Sequence, residues 1–162
     1  MSPQPPDPSS DDIPRKPAPG RRSRTSVKVL IVDDNPDILA LLRANLRAAG
    51  FETDEALNGE AALRRIKENP PDVIVLDLLM PVLDGWGVLE ALKDRPDRPP
   101  IIVVTAAQTP DVVDRADQLG VTACVTKPFN VAELVDLVHS IGPRQRGRRA
   151  PKPGRPARSA QT

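Results

Sequence analysis

Five polar residues stand at or just after the ends of short apolar runs, where their side chains could do chemistry together. Asp33 and Asp34 follow VKVLIV, Asp77 follows VIVL, Thr105 follows IIVV, and Lys127 comes two residues after VTACV. Three carboxylates held at close quarters repel one another, and a bound cation removes that repulsion. Oxygen ligands with no neighbouring Cys or His favour Mg²⁺ or Mn²⁺ over zinc. The residue types therefore indicate an oxygen-ligated divalent cation site.

A lysine and a hydroxyl that face such a cation form a pocket suited to a phosphoryl group. The cation and the Lys127 ammonium neutralise negative charge, and the Thr105 hydroxyl binds a phosphoryl oxygen. A carboxylate in the pocket could itself attack phosphorus and form an aspartyl-phosphate. Each residue alone also has a structural explanation, because Asp and Asn after a strand cap the following helix. The convergence of all five favours the phosphoryl site.

The elements that must position these residues alternate along the chain in five β–α units. Short apolar runs predict strands at 27–32, 51–56, 73–76, 101–104 and 121–125, and helical periodicity predicts a helix after each of them. Apolar strands joined by amphipathic helices predict an α/β fold: a five-stranded parallel sheet, doubly wound, with helices on both faces. The more polar second strand is expected at a sheet edge. Ligands of such sheets bind beyond the carboxyl ends of the strands, where the five polar residues fall.

Charge and proline divide the chain into three parts. Residues 1–26 carry five basic and three acidic side chains, and residues 143–162 carry seven basic and none acidic. These two segments hold 11 of the 20 prolines and almost no large apolar residues, so we expect disordered tails. Residues 27–142 carry 11 basic and 19 acidic side chains, a net charge of −8, and are expected to form the one folded domain.

Other features of the composition exclude several classes of protein. A single cysteine excludes a disulfide framework and a cysteine-based zinc site. No apolar run approaches the roughly 20 residues of a membrane-spanning helix, and the polar N-terminus lacks the apolar stretch of a secretory signal. We therefore expect a cytoplasmic protein that does not associate with membranes.

Four motifs in combination resemble the receiver domain of bacterial two-component response regulators, of the chemotaxis-regulator type. They are VDDN at 32–35, VLDLLMPVLDG at 75–85, VVTA at 103–106 and TKPF at 126–129. The resemblance covers residues 27–142. It implies a flavodoxin-like sheet of strand order 2-1-3-4-5, which agrees with the alternation already described.

The resemblance also implies roles for the polar residues. Asp77 is the phospho-acceptor, which takes a phosphoryl group from a histidine kinase or a phosphotransfer protein. The Mg²⁺ ligands are Asp33, Asp34, Asp77 and the backbone carbonyl of Leu79. The Thr105 hydroxyl moves with the phosphate, and Lys127 contacts the phosphate. The peptide bond between Lys127 and Pro128 is cis.

Three positions depart from the commonest receiver pattern. The residue three before the lysine is usually aromatic and reports phosphorylation by its rotamer, but here it is Cys124. A compact cysteine cannot act as an aromatic toggle, and we expect it to be a buried structural thiol rather than a redox sensor. Leu79 and Ala107, which flank the expected phosphoryl group, are apolar and cannot position an attacking water. A phosphorylated state that is not specially short-lived is expected.

We therefore expect a stand-alone response regulator, a phosphoprotein of a phosphorelay and not an enzyme. We expect no second folded module after residues 27–142, so the output would pass through contact with an unidentified downstream protein. We expect a monomer or a weak dimer. Two alternatives stay open: a DNA-associated regulator that acts through the basic C-terminal tail, and a Mg²⁺-dependent phosphatase with an aspartyl-phosphate intermediate. The phosphatase class generally has its nucleophile after the first strand in an Asp-x-Asp pattern, which this chain lacks.

Overall fold

The computed structural model describes residues 26–142, and ten elements alternate along this part of the chain. The tails expected at 1–26 and 143–162 lie outside the described residues, apart from Ser26. The elements are β1 (Lys28–Val32), α1 (Pro36–Ala48), β2 (Glu52–Ala56), α2 (Gly59–Glu68), β3 (Val73–Asp77), α3 (Gly85–Leu92), β4 (Ile101–Thr105), α4 (Pro110–Gln118), β5 (Ala123–Thr126) and α5 (Val131–Ile141). The five predicted β–α units are confirmed.

The largest shift in a predicted boundary is at β5, which begins at Ala123 instead of residue 121. The Val121 N–H donates to the Ala116 carbonyl at 3.1 Å and so closes the end of α4. A backbone N–H used in a helix cap is not available to the sheet ladder. The strand therefore starts only after this cap is complete.

All five strands are parallel and lie in the order β2-β1-β3-β4-β5. The expected order and the edge position of the polar second strand are confirmed. The three inner strands are almost entirely buried, because helices cover both faces of the sheet. Val32 lies opposite Leu76, so the residues that follow them, Asp33 and Asp77, lie side by side at the carboxyl edge of the sheet.

Successive strand residues point to opposite faces, and each face has its own apolar core. On one face, Leu30 and Val32 of β1 pack with residues of α2 and α3. On the other face, Val29 and Ile31 pack with residues of α1 and α5. Complete burial of a side chain of this size stabilises a fold by about 1.5–3 kcal/mol. The two cores therefore fix the sheet edge from which the site residues project.

Every helix begins at the carboxyl edge of the sheet, behind an N-cap side chain. The N-caps are Asn35, Asn58, Asp84, Thr109 and Asn130, and each accepts a hydrogen bond from a backbone N–H of its own first turn. These bonds satisfy donors that a helix terminus leaves free. The loops that carry the site residues are therefore anchored at both ends.

The helices of the described part are short, and the longest, α1, has 13 residues. A membrane-spanning helix needs about 20 mostly apolar residues. None of the helices between residues 26 and 142 combines that length with that apolar character.

Candidate functional site

Three carboxylates converge at the carboxyl edge of β1 and β3. One oxygen each from Asp33, Asp34 and Asp77 lies within 4.8 Å of the other two. Asp33 and Asp77 are buried and Asp34 is exposed, so the cluster opens to solvent on one side. The Asn35 N–H donates to Asp33 Oδ1 at 2.9 Å and orients that carboxylate. The donor set consists of oxygen atoms alone, which favours Mg²⁺ or Mn²⁺ over zinc.

Lys127 reaches the same cluster from the loop between β5 and α5. Its Nζ donates to Asp33 Oδ2 at 2.9 Å and to Asp77 Oδ2 at 3.2 Å. The Lys127 N–H donates to the Thr105 carbonyl at 2.8 Å, and the Lys127–Pro128 bond is cis, as the resemblance implies. Burial opposes the charge of the ammonium. The hydrogen bond and charge of Asp33, together with those of Asp77, outweigh burial and raise the pKa of Lys127.

The environment of Asp77 disfavours its ionised form. Burial raises the pKa of Asp77 above its usual range, and the nearby charge of Asp33 raises it further. The Leu79 N–H, which donates to Asp77 Oδ1 at 3.2 Å, and the Lys127 ammonium act in the opposite direction without cancelling the shift. Additional positive charge at the site therefore stabilises the ionised form of Asp77.

Thr105 is the last residue of β4 and is buried. Its Oγ1 accepts a hydrogen bond from the Ala107 N–H at 3.3 Å, and its partner in the β5 register is Thr126. The Thr126 hydroxyl donates to Gln108 Oε1 and ties the exposed loop after β4 to the end of β5. Sequence reasoning missed this contact, although both residues are polar and lie just beyond or at the ends of strands.

The loop between β3 and α3 is held tightly against the acceptor strand. A Cβ atom on Gly85 would lie 2.3 Å from the Asp77 carbonyl oxygen, so only glycine fits there. The Gly85 N–H donates to the Leu78 carbonyl at 3.0 Å. Between these anchors, Val82 has a φ of 70°, which is rare for a β-branched residue. Leu79 lies beside Asp77, and the role of its carbonyl as a metal ligand stays a prediction.

Cys124 is half-buried in β5, less than the full burial expected. It packs against the core shared by α2 and α3. Burial raises the pKa of the Cys124 thiol, and the charge of Asp117 adds to the shift. A raised pKa keeps the thiol protonated and unreactive, which favours the structural interpretation over redox sensing.

The single tryptophan and the single histidine of the chain lie away from the carboxylates. Trp86 is partly buried, and the Arg115 guanidinium lies 4.3 Å from its ring centroid. His139 is exposed on α5, and its ring lies 4.5 Å from that of Phe51. Neither residue contributes a polar group to the site.

Comparison with known proteins identifies the family. The family model for the response regulator receiver domain matches residues 29–139. The chain belongs to this family. The transcriptional regulatory protein PrrA of Mycobacterium tuberculosis is 44% identical over 117 residues, which is 72% of this chain and 50% of that protein. The chain thus spans about half the length of the curated relatives it matches.

Solved receiver structures agree with this assignment. The receiver domain of the Francisella response regulator 1452 is 32% identical, with a TM-score of 0.68, and the match covers 72% of this chain and 96% of that one. The Vibrio cholerae chemotaxis protein CheY4 is 30% identical, with a TM-score of 0.67, over 72% and 98% of the two chains. Receiver domains are signalling modules of two-component systems that bind Mg²⁺ at an acidic pocket and interact with histidine kinases or phosphotransfer proteins. The three carboxylates of this receiver domain could hold such an ion.

Proposed function

We propose that Asp77 accepts a phosphoryl group from a histidine kinase or a phosphotransfer protein, and that the phosphorylated receiver domain signals by protein–protein contact. The observation that carries this proposal is the convergence of Asp33, Asp34 and Lys127 on Asp77. A divalent cation and an ammonium beside one carboxylate are suited to phosphoryl transfer, in which negative charge spreads over the phosphoryl oxygens.

The transfer step uses the Asp77 carboxylate as the nucleophile. One of its oxygens forms a bond to phosphorus while the bond from phosphorus to the donor's imidazole nitrogen breaks, and the nitrogen keeps the electron pair. Asp33, Asp34, Asp77 and the Leu79 carbonyl would hold a Mg²⁺ ion, which would supply positive charge to the phosphoryl oxygens. Lys127 transfers its contact from Asp77 to a phosphoryl oxygen, and Asp33 keeps the ammonium in place throughout.

The signal leaves the pocket through Thr105 and Lys127. The Thr105 hydroxyl gives up the hydrogen bond that it accepts from the Ala107 N–H and donates one to a phosphoryl oxygen, and this moves the loop after β4. A modification shifts an equilibrium only by interacting differently with the two conformations. Because Cys124 is compact, we infer that the shift depends on these backbone segments and involves no large rotamer change in β5.

The proposal is tested by chemical phosphorylation. The protein is treated with acetyl phosphate and Mg²⁺, and the acyl phosphate is mapped by mass spectrometry. We expect label on Asp77 and none in Asp77→Ala. The matched control is Asp111→Ala on α4, an exposed carboxylate outside the cluster, which should be labelled like the wild type. Undiminished label in Asp77→Ala would refute the assignment.

The named relatives favour a second, finer proposal: that this receiver domain regulates transcription. PrrA is described as a transcriptional regulatory protein. The seven basic side chains of residues 143–162 would bind DNA with strong salt dependence. DNA binding is compared between the full chain and a chain without residues 143–162 across a salt series. Equal affinities and slopes would exclude the tail as a DNA-binding segment.

We also propose a cytoplasmic location, because histidine kinases take the phosphoryl group from cytoplasmic ATP. The phosphatase alternative has less support, since Asp77 lies at the end of the third strand and not of the first.

A further inference from the structure

A groove of about 620 Å³ lies along the outer side of β2, between α1 and α2. Because β2 is an edge strand, it pairs with β1 alone within residues 26–142. We call this cavity the β2 groove. Its polar lining consists of Arg43 and Arg47 of α1, Thr53, Asp54 and Glu55 of β2, and Arg65 of α2. The groove thus combines the free edge of a strand with charged side chains of both flanking helices.

The backbone of β2 offers hydrogen-bonding groups to the groove. The Glu52 N–H and the Ala56 carbonyl are bonded to backbone that flanks β1, at 2.9 and 3.2 Å. Backbone groups of successive strand residues turn to alternate sides, so those of Thr53 and Glu55 face the groove. The Glu55 N–H donates to Asp54 Oδ1 at 2.9 Å. The N–H and carbonyl of Thr53 and the carbonyl of Glu55 can therefore pair with a further extended segment.

The side chains of the β2 groove carry an excess of positive charge. Arg43 contacts Glu55 at 3.0 Å on the side of α1, and Arg65 contacts Asp54 at 3.6 Å on the side of α2. The Arg47 Nε donates to a hydroxyl of β2 at 2.8 Å. Three guanidinium groups therefore accompany two carboxylates. Successive side chains of an added strand would point towards the two helices in turn, so acidic residues would meet guanidinium groups on both faces.

The N-terminal part of the sequence contains one segment that matches the groove. Prolines interrupt residues 1–19 repeatedly, and the longest stretch between two of them is SSDDI at 9–13. This stretch has five residues, as β2 does. It carries Asp11 and Asp12, whose side chains would point to opposite faces of a strand because they are neighbours. Residues 143–162, with seven basic and no acidic side chains, do not match a positively charged groove.

We propose that residues 9–13 dock in the β2 groove as a sixth strand of the sheet. One aspartate of the segment faces the guanidinium groups of α1, and the other faces Arg65 of α2. Backbone groups of the segment pair with those of Thr53 and Glu55. The docked segment covers an edge that could otherwise pair with strands of other chains.

The connection to the fold is long enough for this contact. The chain enters the described part at Ser26, whose hydroxyl donates to Glu52 Oε2 at 3.3 Å, beside the start of β2. The 12 residues 14–25 span up to about 40 Å. Neighbouring strands lie about 5 Å apart, and a strand of five residues is about 17 Å long. Residues 9–13 can therefore reach either end of β2.

Amide hydrogen exchange of the full chain, followed residue by residue by NMR, tests the proposal. The reporter is the Thr53 N–H, which faces the groove and is protected when a strand pairs with it. The first variant is Ser10→Pro/Ile13→Pro, which keeps both aspartates. Its two prolines lie on opposite sides of an added strand, so one of them removes an N–H that would face β2.

A second variant and a control separate charge from backbone pairing. Asp11→Asn/Asp12→Asn keeps every backbone N–H and removes both negative charges. The matched control is Asp7→Arg, which changes an acidic residue of the same tail outside residues 9–13. The Ile31 amide of the inner strand β1 serves as the internal reference, because its slow exchange in every variant shows that the fold is intact.

We expect protection of the Thr53 amide in the wild type and in Asp7→Arg. A segment with a dissociation constant of about 0.1 mM and an effective concentration of about 1 mM occupies the groove in about nine molecules of ten. The amide should therefore exchange about tenfold faster in the proline variant than in the wild type. The asparagine variant should lose most of the protection as well, since its segment no longer attracts the guanidinium groups.

Other results overturn the inference. Equal exchange of the Thr53 amide in the wild type and the proline variant shows that residues 9–13 do not pair with β2. Full protection in the asparagine variant shows that the guanidinium groups do not recognise the segment. A loss in Asp7→Arg as large as in the asparagine variant shows that the overall charge of the tail decides the exchange. Protection that disappears on dilution shows that a second copy of the chain occupies the groove.

Discussion

Replacement of Lys127 by Met removes the ammonium that contacts both Asp33 and Asp77, at 2.9 and 3.2 Å, and keeps a side chain of similar length. The two carboxylates stay buried and lose their counter-charge. Loss of one partner from a fully buried ion pair costs about 3–5 kcal/mol, and an exposed pair is worth about 0.2–1 kcal/mol. The Lys127 side chain is 22% exposed, between these limits. We therefore expect a loss of about 2–3 kcal/mol of unfolding free energy in EDTA.

Mg²⁺ should reverse most of this loss. The ion stabilises both proteins, so at saturation the deficit shrinks by RT ln of the ratio of their dissociation constants, which is about 2 kcal/mol for a ratio of about 30. In the variant no ammonium competes for the carboxylate oxygens, so the ion binds more tightly than in the wild type. The deficit of Lys127→Met should shrink to less than about 1 kcal/mol at saturating Mg²⁺.

Urea unfolding followed by fluorescence measures both effects, because Trp86 is the single tryptophan of the chain and is partly buried. The expected loss in EDTA moves the midpoint by about 1–2 M urea. The control is Arg43→Met, which removes the partly exposed ion pair with Glu55 on the outer strand β2. It should cost less than about 1 kcal/mol, with or without Mg²⁺. A Lys127→Met variant with wild-type stability in EDTA, or with the same deficit in Mg²⁺, would refute the reasoning.

Three further predictions concern the same pocket. Burial and the charge of Asp33 raise the pKa of Asp77 in the folded state, so the contribution of Asp77 to wild-type stability falls as pH rises from about 3.9 through the folded pKa. In thermal unfolding with EDTA, Asp77→Asn should be more stable than the wild type at pH 7 and lose this advantage below about pH 4; an advantage that is independent of pH would contradict the assignment. Asp34→Ala should abolish Mg²⁺ binding in calorimetric titration, and removal of residues 1–25 and 143–162 should leave it unchanged. In amide spectra with a phosphoryl mimic, Cys124→Tyr should show larger shifts than the wild type across β4, α4, β5 and α5; equally large shifts in both proteins would show that the cysteine does not weaken the switch.

The alternation of strands and helices can be predicted from the sequence because it depends on the local spacing of apolar residues. Apolar residues two apart or three to four apart along the chain decide which face of each element can be buried. Asp33, Asp77 and Thr105 each interrupt a run of this kind, so their positions at strand ends follow directly. The oxygen chemistry of the cluster follows as well, since it depends on residue type alone.

Strand order cannot be predicted in the same way, because the spacing of apolar residues along the chain does not determine which strands become neighbours. The order was expected from resemblance, and long-range packing of the helices on both faces produces it. Only in the folded sheet do Val32 and Leu76 become partners and set Asp33 beside Asp77. The reach of Lys127 across to both carboxylates has the same origin, since β5 lies two strands away from β3.

Three details of the site depend on tertiary structure alone. The bond between Thr126 and Gln108 joins side chains whose proximity depends on how the loop after β4 returns towards β5. The half-burial of Cys124 depends on how the apolar core packs against an edge strand. The left-handed backbone of Val82 is contrary to the local preference of valine and persists because the anchors around it, above all the close approach of Gly85 to Asp77, leave the loop no alternative. Local preference determined the elements, and contacts between distant parts of the chain determined the conformation of the loops that carry the chemistry.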